Sequence, residues 1–229
     1  HVDNSISDGR PFVRSNIEGV FNLLEVAKAQ PVDIFEKFVQ VSTDEVYGDM
    51  EDRRGALEAD ESFSLKPSSY YSASKAAAEM LVISAHRTFN VPYLITRCCN
   101  NFGPGQHQEK FLPTVFKSVK TGQPVPVYGD GLQIREWIHV DDHVKIMEEL
   151  MHSDSTSETY NIGSGYLHTN LEVIEQIAHA VGKPASIAHI DDRLGHDRKY
   201  ALDCKKLIAY RGELHFETLQ NFLDSESRN

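Results

Sequence analysis

The sequence predicts an α/β chain built on a parallel sheet with crossover helices, and three observations carry that prediction. Two short β-branched runs, 37–43 and 93–98, read as buried strands. Amphipathic helical periods lie before and between them, at 12–29 and 70–89. Strands that alternate with such helices pack as a parallel sheet, and 229 residues suffice for one domain with a small appended lobe.

Each element has its own signal. Phe12, Ile17, Val20, Phe21, Leu24 and Ala27 fall at helical spacing, and Gln30-Pro31 stops that helix. Residues 49–62 hold six acids against two arginines and read as solvated loop. The helix at 70–89 is apolar at Met80, Leu81 and Ile83 and ends before Asn90-Val91-Pro92. Tyr93 to Cys98 is the next strand, and the glycines and proline of 100–105 make a loop. A helix follows at 112–121, then short strands at 125–128 and 137–140. Asp141 or Asp142 is the expected cap of a helix running to about His152. Residues 160–163 form a short strand, and 170–181 a helix with Gly182 just past its end. From about 205 the pattern weakens. Only three strands read as core, a low count for a parallel sheet.

Composition excludes several functions. Lysine and arginine total 23 against 34 acids, a net charge of −11. That surface repels phosphate backbones, so neither nucleic acid nor an anionic membrane is an expected partner. No apolar run approaches the ~20 residues of a membrane span. Three cysteines, Cys98, Cys99 and Cys204, match no disulfide framework and no zinc spacing, which points to a reducing, cytoplasmic setting. The chain opens on His1 within loop-like sequence, and the expectation is a piece of something larger.

Four groups could carry chemistry. Tyr71 and Lys75 stand i, i+4 at the start of a helix, where an ammonium can stabilise phenolate and make a general base. Among nine tyrosines the same spacing also arises by chance. Ser42-Thr43-Asp44-Glu45 follows a strand, where doubly wound folds place their chemistry, and two adjacent carboxyls can divide acid and base roles. Ser42 and Glu45 also match a helix capping box. Arg135, Arg193 and His196 suit a diphosphate or are ordinary surface cations. His139 and His143 straddle a strand-to-helix boundary, so no metal site is expected. Cys98-Cys99 reads as core. No G-x-G-x-x-G follows a strand near the start, and Gly163-Ser164-Gly165 lacks a third glycine.

Taken together, eight segments resemble the extended short-chain dehydrogenase/reductase family, in its nucleotide-sugar dehydratase branch. They are His-Val-Asp-Asn-Ser-Ile (1–6), Ser-Thr-Asp-Glu-Val-Tyr-Gly (42–48), Tyr-Ser-Ala-Ser-Lys (71–75), Asn-Asn-Phe-Gly-Pro (100–104) and Glu-Lys-Phe-Leu-Pro (109–113), followed by three more. Those three are Tyr-Gly-Asp-Gly-Leu-Gln-Ile-Arg-Glu-Trp (128–137), Thr-Tyr-Asn-Ile-Gly (159–163) and Gly-His-Asp-Arg-Lys-Tyr (195–200). They run in family order over residues 1 to about 205.

The resemblance implies a partial NAD-binding Rossmann-type parallel sheet, residues 1–105 and about 137–163. A smaller C-terminal substrate-binding lobe would take about 106–136 and 164–229. It implies NAD as cofactor and dehydration of dTDP-glucose to a 4-keto-6-deoxy sugar. A UDP-sugar enzyme and a non-catalytic remnant are the alternatives. The implied catalytic residues are Thr43, Asp44, Glu45, Tyr71 and Lys75. Asn16, Ser42, Asn101, Tyr71 and Lys75 would touch the cofactor. The nucleotide-diphospho sugar would meet His1, Asn100, Lys110, Phe111, Pro126, Val127, Tyr128, Arg135, Asn161, Asp192, Arg193 and His196. A homodimer through the helices at 12–29 and 70–89, four helices in all, is also implied. Three features depart from the family: the glycine-rich segment is absent, the tail after Lys206 differs, and Leu194 replaces a usual proline. Without the glycine loop, the chain by itself is expected to bind NAD weakly and not to turn over.

Overall fold

The computed structural model describes residues 2–31, 34–51 and 58–226. The chain opens with α1 (Val2–Ser7), α2 (Arg10–Phe12) and α3 (Gly19–Lys28), the last two joined by a π-helical stretch, Val13–Glu18. The helix predicted at 12–29 is thus present but changes its winding halfway. Next come β1 (Phe38–Thr43), a 3-10 turn at Asp44–Tyr47, α4 (Tyr70–Phe89), β2 (Tyr93–Cys98) and β3 (Asn100–Phe102). The second half holds α5 (Phe111–Thr121), β4 (Val125–Tyr128), β5 (Ile134–His139), α6 (Val140–Met151) and β6 (Glu158–Ile162). The chain closes with β7 (Leu167–Thr169), α7 (Asn170–Val181), β8 (Ile187–Ile190), α8 (Lys205–Arg211) and α9 (Leu219–Glu226).

The three expected core strands form one parallel sheet, ordered β1-β2-β6. A second sheet, β3-β5-β7, pairs β3 with β5 in parallel and β5 with β7 antiparallel. β4 and β8 make a parallel pair of their own. Three apolar clusters lie between these sheets and the helices. Leu94, Ile138, Ile146 and Ile162 lie in one, Val115, Val127, Trp137 and Ile174 in a second, and Val20, Leu24, Val82 and Ile95 in a third.

Three sequence expectations need correction. The predicted loop at 100–105 opens with strand β3, because Asn100–Phe102 pair with β5. β5 begins at Ile134 rather than 137, because its first residues pair with β7 and with the backbone near Lys199. The cap of α6 is His139, whose Nδ1 accepts from the Asp141 backbone N–H, and both aspartates sit in the first turn instead. The weakly patterned tail still supplies two short helices, with Leu207 on α8 and Leu219 and Leu223 on α9 closing the clusters. The acidic loop keeps Asp49 in the described part, where it accepts from the Arg198 and Lys199 backbone N–H groups; residues 52–57 lie outside it.

A buried polar network ties the first sheet together. The Arg97 guanidinium on β2 donates to the Glu79 carboxylate on α4, at 2.6 Å for its closest contact, and both side chains are buried. Arg97 also donates to the Tyr47 hydroxyl at 2.7 Å, and that hydroxyl donates to Asn161 Oδ1 on β6. The Asn161 amide in turn donates to the Ala59 and Asp203 carbonyls. Gly48 follows Tyr47 at φ +73, and a Cβ there would stand 2.0 Å from the Lys66 carbonyl oxygen, so only glycine lets the chain turn away.

Removing one partner of a buried ion pair leaves the other charge uncompensated, at a cost of about 3–5 kcal/mol. Glu79→Leu is therefore expected to lower the free energy of unfolding by that amount in urea titrations, and Glu79→Leu with Arg97→Met to recover most of it. A loss under ~1 kcal/mol for the single variant would show that the pair does not hold the sheet.

Candidate active site

The site forms where β1 ends. Thr43, in extended backbone, caps the 3-10 turn by accepting from the Glu45 backbone N–H. The capping-box reading gave that part to Ser42, but Ser42 still belongs to the strand and its buried hydroxyl has no protein partner. Glu45 is thereby left with its carboxylate facing outward rather than reaching back to a cap. The Thr43 hydroxyl donates to Asp44 Oδ1 at 3.2 Å, while Asp44 Oδ2 is buried and unpartnered.

Helix α4 brings Tyr71 and Lys75 to the same strand end. Ser69 and Ser72 form a reciprocal capping box there, which fixes where the helix starts and hence which turn carries Tyr71. The phenol packs edge-on against Phe12. Burial pushes the Tyr71 phenol up, the Glu45, Cys98 and Asp44 side chains add to that, and its hydrogen bond with the Thr43 side chain pulls the other way. Lys75 donates to the Val41 carbonyl, and burial lowers its pKa. The Lys75 ammonium is thus hydrogen-bonded to the strand backbone, one helical turn from Tyr71.

These groups open onto a cleft of about 500 Å³. Ser42, Thr43, Glu45 and Tyr71 line one wall. Asn100, Asn101, Lys110 and Phe111 line the next, and Pro126, Val127, Tyr128, Arg135, Arg193 and His196 the far side. Five predicted residues stand elsewhere. Asp44 and Lys75 lie behind the wall, and Asn16 donates to the Ser74 hydroxyl. Asp192 sits behind His196 and accepts from its Nδ1 at 2.6 Å. Asn161 is a correction: fully buried, with oxygen and amide both spent on the network of Tyr47, Ala59 and Asp203, it belongs to the core and not to the cleft. His1 lies outside the described residues.

Sequence reasoning missed Asp3, Gln106, Trp137 and Tyr200, all in the cleft wall. Asp3, Trp137 and Tyr200 sit inside segments that carry the family resemblance, where neighbouring charged residues drew the assignment. Asn101 lines the cleft, but its amide is engaged inward. Its Nδ2 donates to the Cys99 carbonyl, and its Oδ1 pairs with His143 Nδ1 at 2.8 Å. Burial holds His143 near a pKa of about 4, so the ring is neutral and Nδ1 carries the proton. Among the described residues no cluster of three or more His, Cys, Asp or Glu could hold a metal.

The two adjacent carboxyls sit in different fields. Burial raises both. For Glu45 the Arg135, Arg193 and Lys110 cations oppose that rise. For Asp44 the carboxylates of Glu45 and Glu136 reinforce it, against Arg135 and the Thr43 hydrogen bond, and its pKa ends well above the ordinary carboxylate range. The two neighbouring carboxyls thus differ in how strongly their surroundings disfavour charge.

The raised Asp44 value has a consequence for stability. The folded protein holds this proton more tightly than the unfolded chain does. The corresponding stabilisation is complete below the unfolded value, near pH ~4, and is lost as pH rises through the folded one. Asp44→Asn removes that loss. It is expected to raise the melting temperature near neutral pH by about 2–4 °C and to leave it unchanged below pH ~4. A variant that melts lower at neutral pH would contradict the burial of an uncompensated carboxyl.

Comparison with known proteins agrees with this geometry. The family model described as the NAD dependent epimerase/dehydratase family matches residues 1–163. The low-salt glycan biosynthesis protein Agl12 of Haloferax volcanii is 43% identical over 220 residues, which are 95% of this chain and 69% of that protein. A dTDP-glucose 4,6-dehydratase of Neisseria gonorrhoeae is 39% identical over 254 residues, covering all of this chain and 73% of its own. Among solved structures, DesIV, the dTDP-glucose 4,6-dehydratase of Streptomyces venezuelae with NAD and TYD bound, superposes with a TM-score of 0.91 at 36% identity. That match covers 100% of this chain and 69% of DesIV. A strand-end Thr-Asp-Glu turn beside a tyrosine in one cleft wall, on a parallel sheet of this order, is thus found in a chain that belongs to the NAD-dependent epimerase/dehydratase family.

Proposed function

We propose that this chain carries the catalytic and sugar-binding machinery of a dTDP-glucose 4,6-dehydratase that uses NAD. The observation that carries the reading is the turn after β1, where Thr43 and Glu45 meet Tyr71 in one cleft and Asp44 lies buried beside them. Bound NAD would supply the hydride acceptor for sugar C4 and the hydride donor for C6. The groups here that fit such a cofactor are the partnerless Ser42 hydroxyl in the cleft wall, Tyr71 and Lys75.

The rest of the chemistry falls to the protein. Tyr71, as the phenolate that the Lys75 ammonium one turn along the helix favours, takes the proton of the sugar 4-hydroxyl while Thr43 hydrogen-bonds the same oxygen. A ketone at C4 acidifies the C5 proton, and Glu45 removes it as the ionised partner of the pair. Asp44, the protonated partner just behind the wall, is the acid for the departing 6-hydroxyl; its Oδ2 has no hydrogen-bond partner in the protein. Water leaves a 4-keto-5,6-ene; Glu45 returns its proton to C5 as hydride is delivered at C6, and the sugar becomes a 4-keto-6-deoxy sugar. Arg135 and Arg193 supply positive charge for the diphosphate, and Lys110, Phe111 and the 126–128 strand hold the nucleotide. In this reading residues 1–105 and about 137–163 serve the cofactor, and about 106–136 and 164–229 serve the nucleotide sugar. The separate β4-β8 pair supports that division.

Two further points complete the proposal. Phe21, Leu23 and Val26 on α3 and Met80 on α4 are exposed apolar side chains on neighbouring helices, which suits a homodimer through four helices. The three cysteines are free thiols, which suits the cytoplasm. No helix among the described residues is long and apolar enough to cross a membrane.

In the enzyme competent for turnover, Asp44→Asn and Glu45→Gln are each expected to lower formation of the keto sugar by about 10²–10⁴-fold. Either variant working at the unaltered rate sinks the role assignment, and faster turnover of UDP-glucose than of dTDP-glucose overturns the nucleotide. Leu23→Asp with Val26→Asp is expected to convert a dimer to a monomer in light scattering; a chain already monomeric before substitution refutes the interface.

A further inference from the structure

Arg135 is a buried cation with an unusual set of neighbours. It is 7% exposed, and among the described residues no carboxylate lies within ion-pairing distance. Its donors go to backbone carbonyls instead. Nη1 donates to Ile134 O at 2.8 Å and more weakly to Arg198 O, and Nη2 donates to Asp197 O at 2.8 Å. A guanidinium has five N–H donors in a fixed plane. Three are thus spent, and the Nε–H and the second Nη2–H, which share one edge of the fork, meet no protein acceptor. An edge of that kind chelates an oxyanion with two parallel hydrogen bonds.

Something has to hold the plane at the angle that leaves this edge free. Tyr200 is 5% exposed, and its ring lies under the guanidinium, 4.3 Å from Cζ to the ring centroid. Its hydroxyl donates to the Asp197 carboxylate at 2.6 Å. Asp197 is the residue whose carbonyl accepts from Nη2, so the three residues close a ring: guanidinium to carbonyl, carboxylate to phenol, phenol face to guanidinium. Burial keeps the Tyr200 phenol protonated, so it remains a donor. The backbone fixes this ring to the sheet. Ile134 N–H donates to Arg198 O, Tyr200 N–H donates to Ile134 O, and residues 134 and 199 form a parallel bridge. Asp197 and Tyr200 therefore stand in register with the strand that carries Arg135. A buried cation without a carboxylate partner is unfavourable unless several dipoles and a polarisable face compensate it, and here three carbonyls and one ring do so.

We propose that Tyr200 is a positioning residue for the anionic part of the substrate, holding the Arg135 guanidinium, directly by its ring and through Asp197 by its hydroxyl, with the Nε–Nη2 edge turned into the cleft. This rests on the nucleotide-diphospho sugar reading above. It gives the cleft a charge that stays uncommitted until a diphosphate arrives, since an Asp or Glu partner in place of the ring would have neutralised it. Sequence pattern alone marks Tyr200 as an apolar neighbour of the charged segment 195–199; only the fold brings its face beneath Arg135.

The test is calorimetric titration of the chain with dTDP, with thymidine as the uncharged comparison, followed for Tyr200→Phe, Tyr200→Leu, Arg135→Gln and the double variant Tyr200→Leu/Arg135→Gln. Thermal melts establish that each variant folds. Tyr200→Leu and Arg135→Gln are each expected to weaken dTDP binding about tenfold. The double variant is expected to be no weaker than Arg135→Gln within about twofold, because the two act as one unit. Tyr200→Phe, which keeps the ring face, is expected to recover affinity to within about threefold of the unaltered chain. Thymidine affinity is expected not to move. Losses that multiply in the double variant or an equal loss for thymidine would each overturn the positioning role, and a Tyr200→Phe chain as weak as Tyr200→Leu would overturn the part given to the ring face. A separate pair of outcomes bears on the reading beneath it: no dTDP binding by the unaltered chain, or Arg135→Gln binding dTDP normally, removes the diphosphate contact itself and the positioning role with it.

Discussion

The buried Arg97–Glu79 pair is the constraint on which the rest of this chain depends. It joins the middle strand of the parallel sheet to α4, and through Tyr47 and Asn161 it joins both to the 3-10 turn and to β6. A charge pair taken out of water gains little net stability over an apolar pair of the same volume, but it tolerates only one geometry. That is what this fold requires of it. The turn bearing Thr43, Asp44 and Glu45 hangs between Ser42 at the end of β1 and Tyr47 in the network. The helix start bearing Tyr71 lies two turns before Glu79 on the same helix. Fixing Arg97 therefore fixes the distance between the two halves of the catalytic wall, and Asn161, a residue the family pattern assigns to the sugar, is consumed in doing so.

From that frame follows an uneven electrostatic field. Asp44 and Glu45 are neighbours in sequence, yet the turn sends one inward and the other toward the cleft. Burial disfavours charge on both, and only the outward one has three cations to restore it. The cations come from distant segments, Lys110 before α5, Arg135 on β5 and Arg193 after β8, so the different fields at two adjacent side chains are set by other walls of the cleft. Arg193 is itself held by Asp3 on α1, and His196 by Asp192. Arg135 differs from both, because its neighbours are carbonyls and a ring.

Some of the site was legible in the residues and some was not, for reasons that can be named. Thr43, Glu45 and Tyr71 were readable because a strand end followed by adjacent carboxyls, and a tyrosine at a helix start, are local patterns whose chemistry is set within a few residues. Lys75 was half readable: the i, i+4 spacing is real, but the Val41 carbonyl competes for its ammonium, and no local pattern shows a strand passing beneath. Asp141 and Asp142 looked like caps, yet His139 capped the helix because β5 delivers it in extended backbone one residue ahead. Tyr200 and Trp137 gave no chemical signal, since an aromatic residue beside charged ones reads as packing until its partner across the fold is known.

By itself the sequence determined the alternation of strands and helices, the position of the catalytic turn, and the family to which the chain belongs, because these rest on short-range periodicity and on motifs of fixed spacing. The tertiary structure alone decided which carboxyl is buried behind the wall and which lines the cleft, which polar groups face the cleft and which are spent in the core, and which cation has no carboxylate partner. Each of those depends on burial and on charges brought together from segments up to 190 residues apart, as in the contact of Asp3 with Arg193, and neither quantity is written in local pattern.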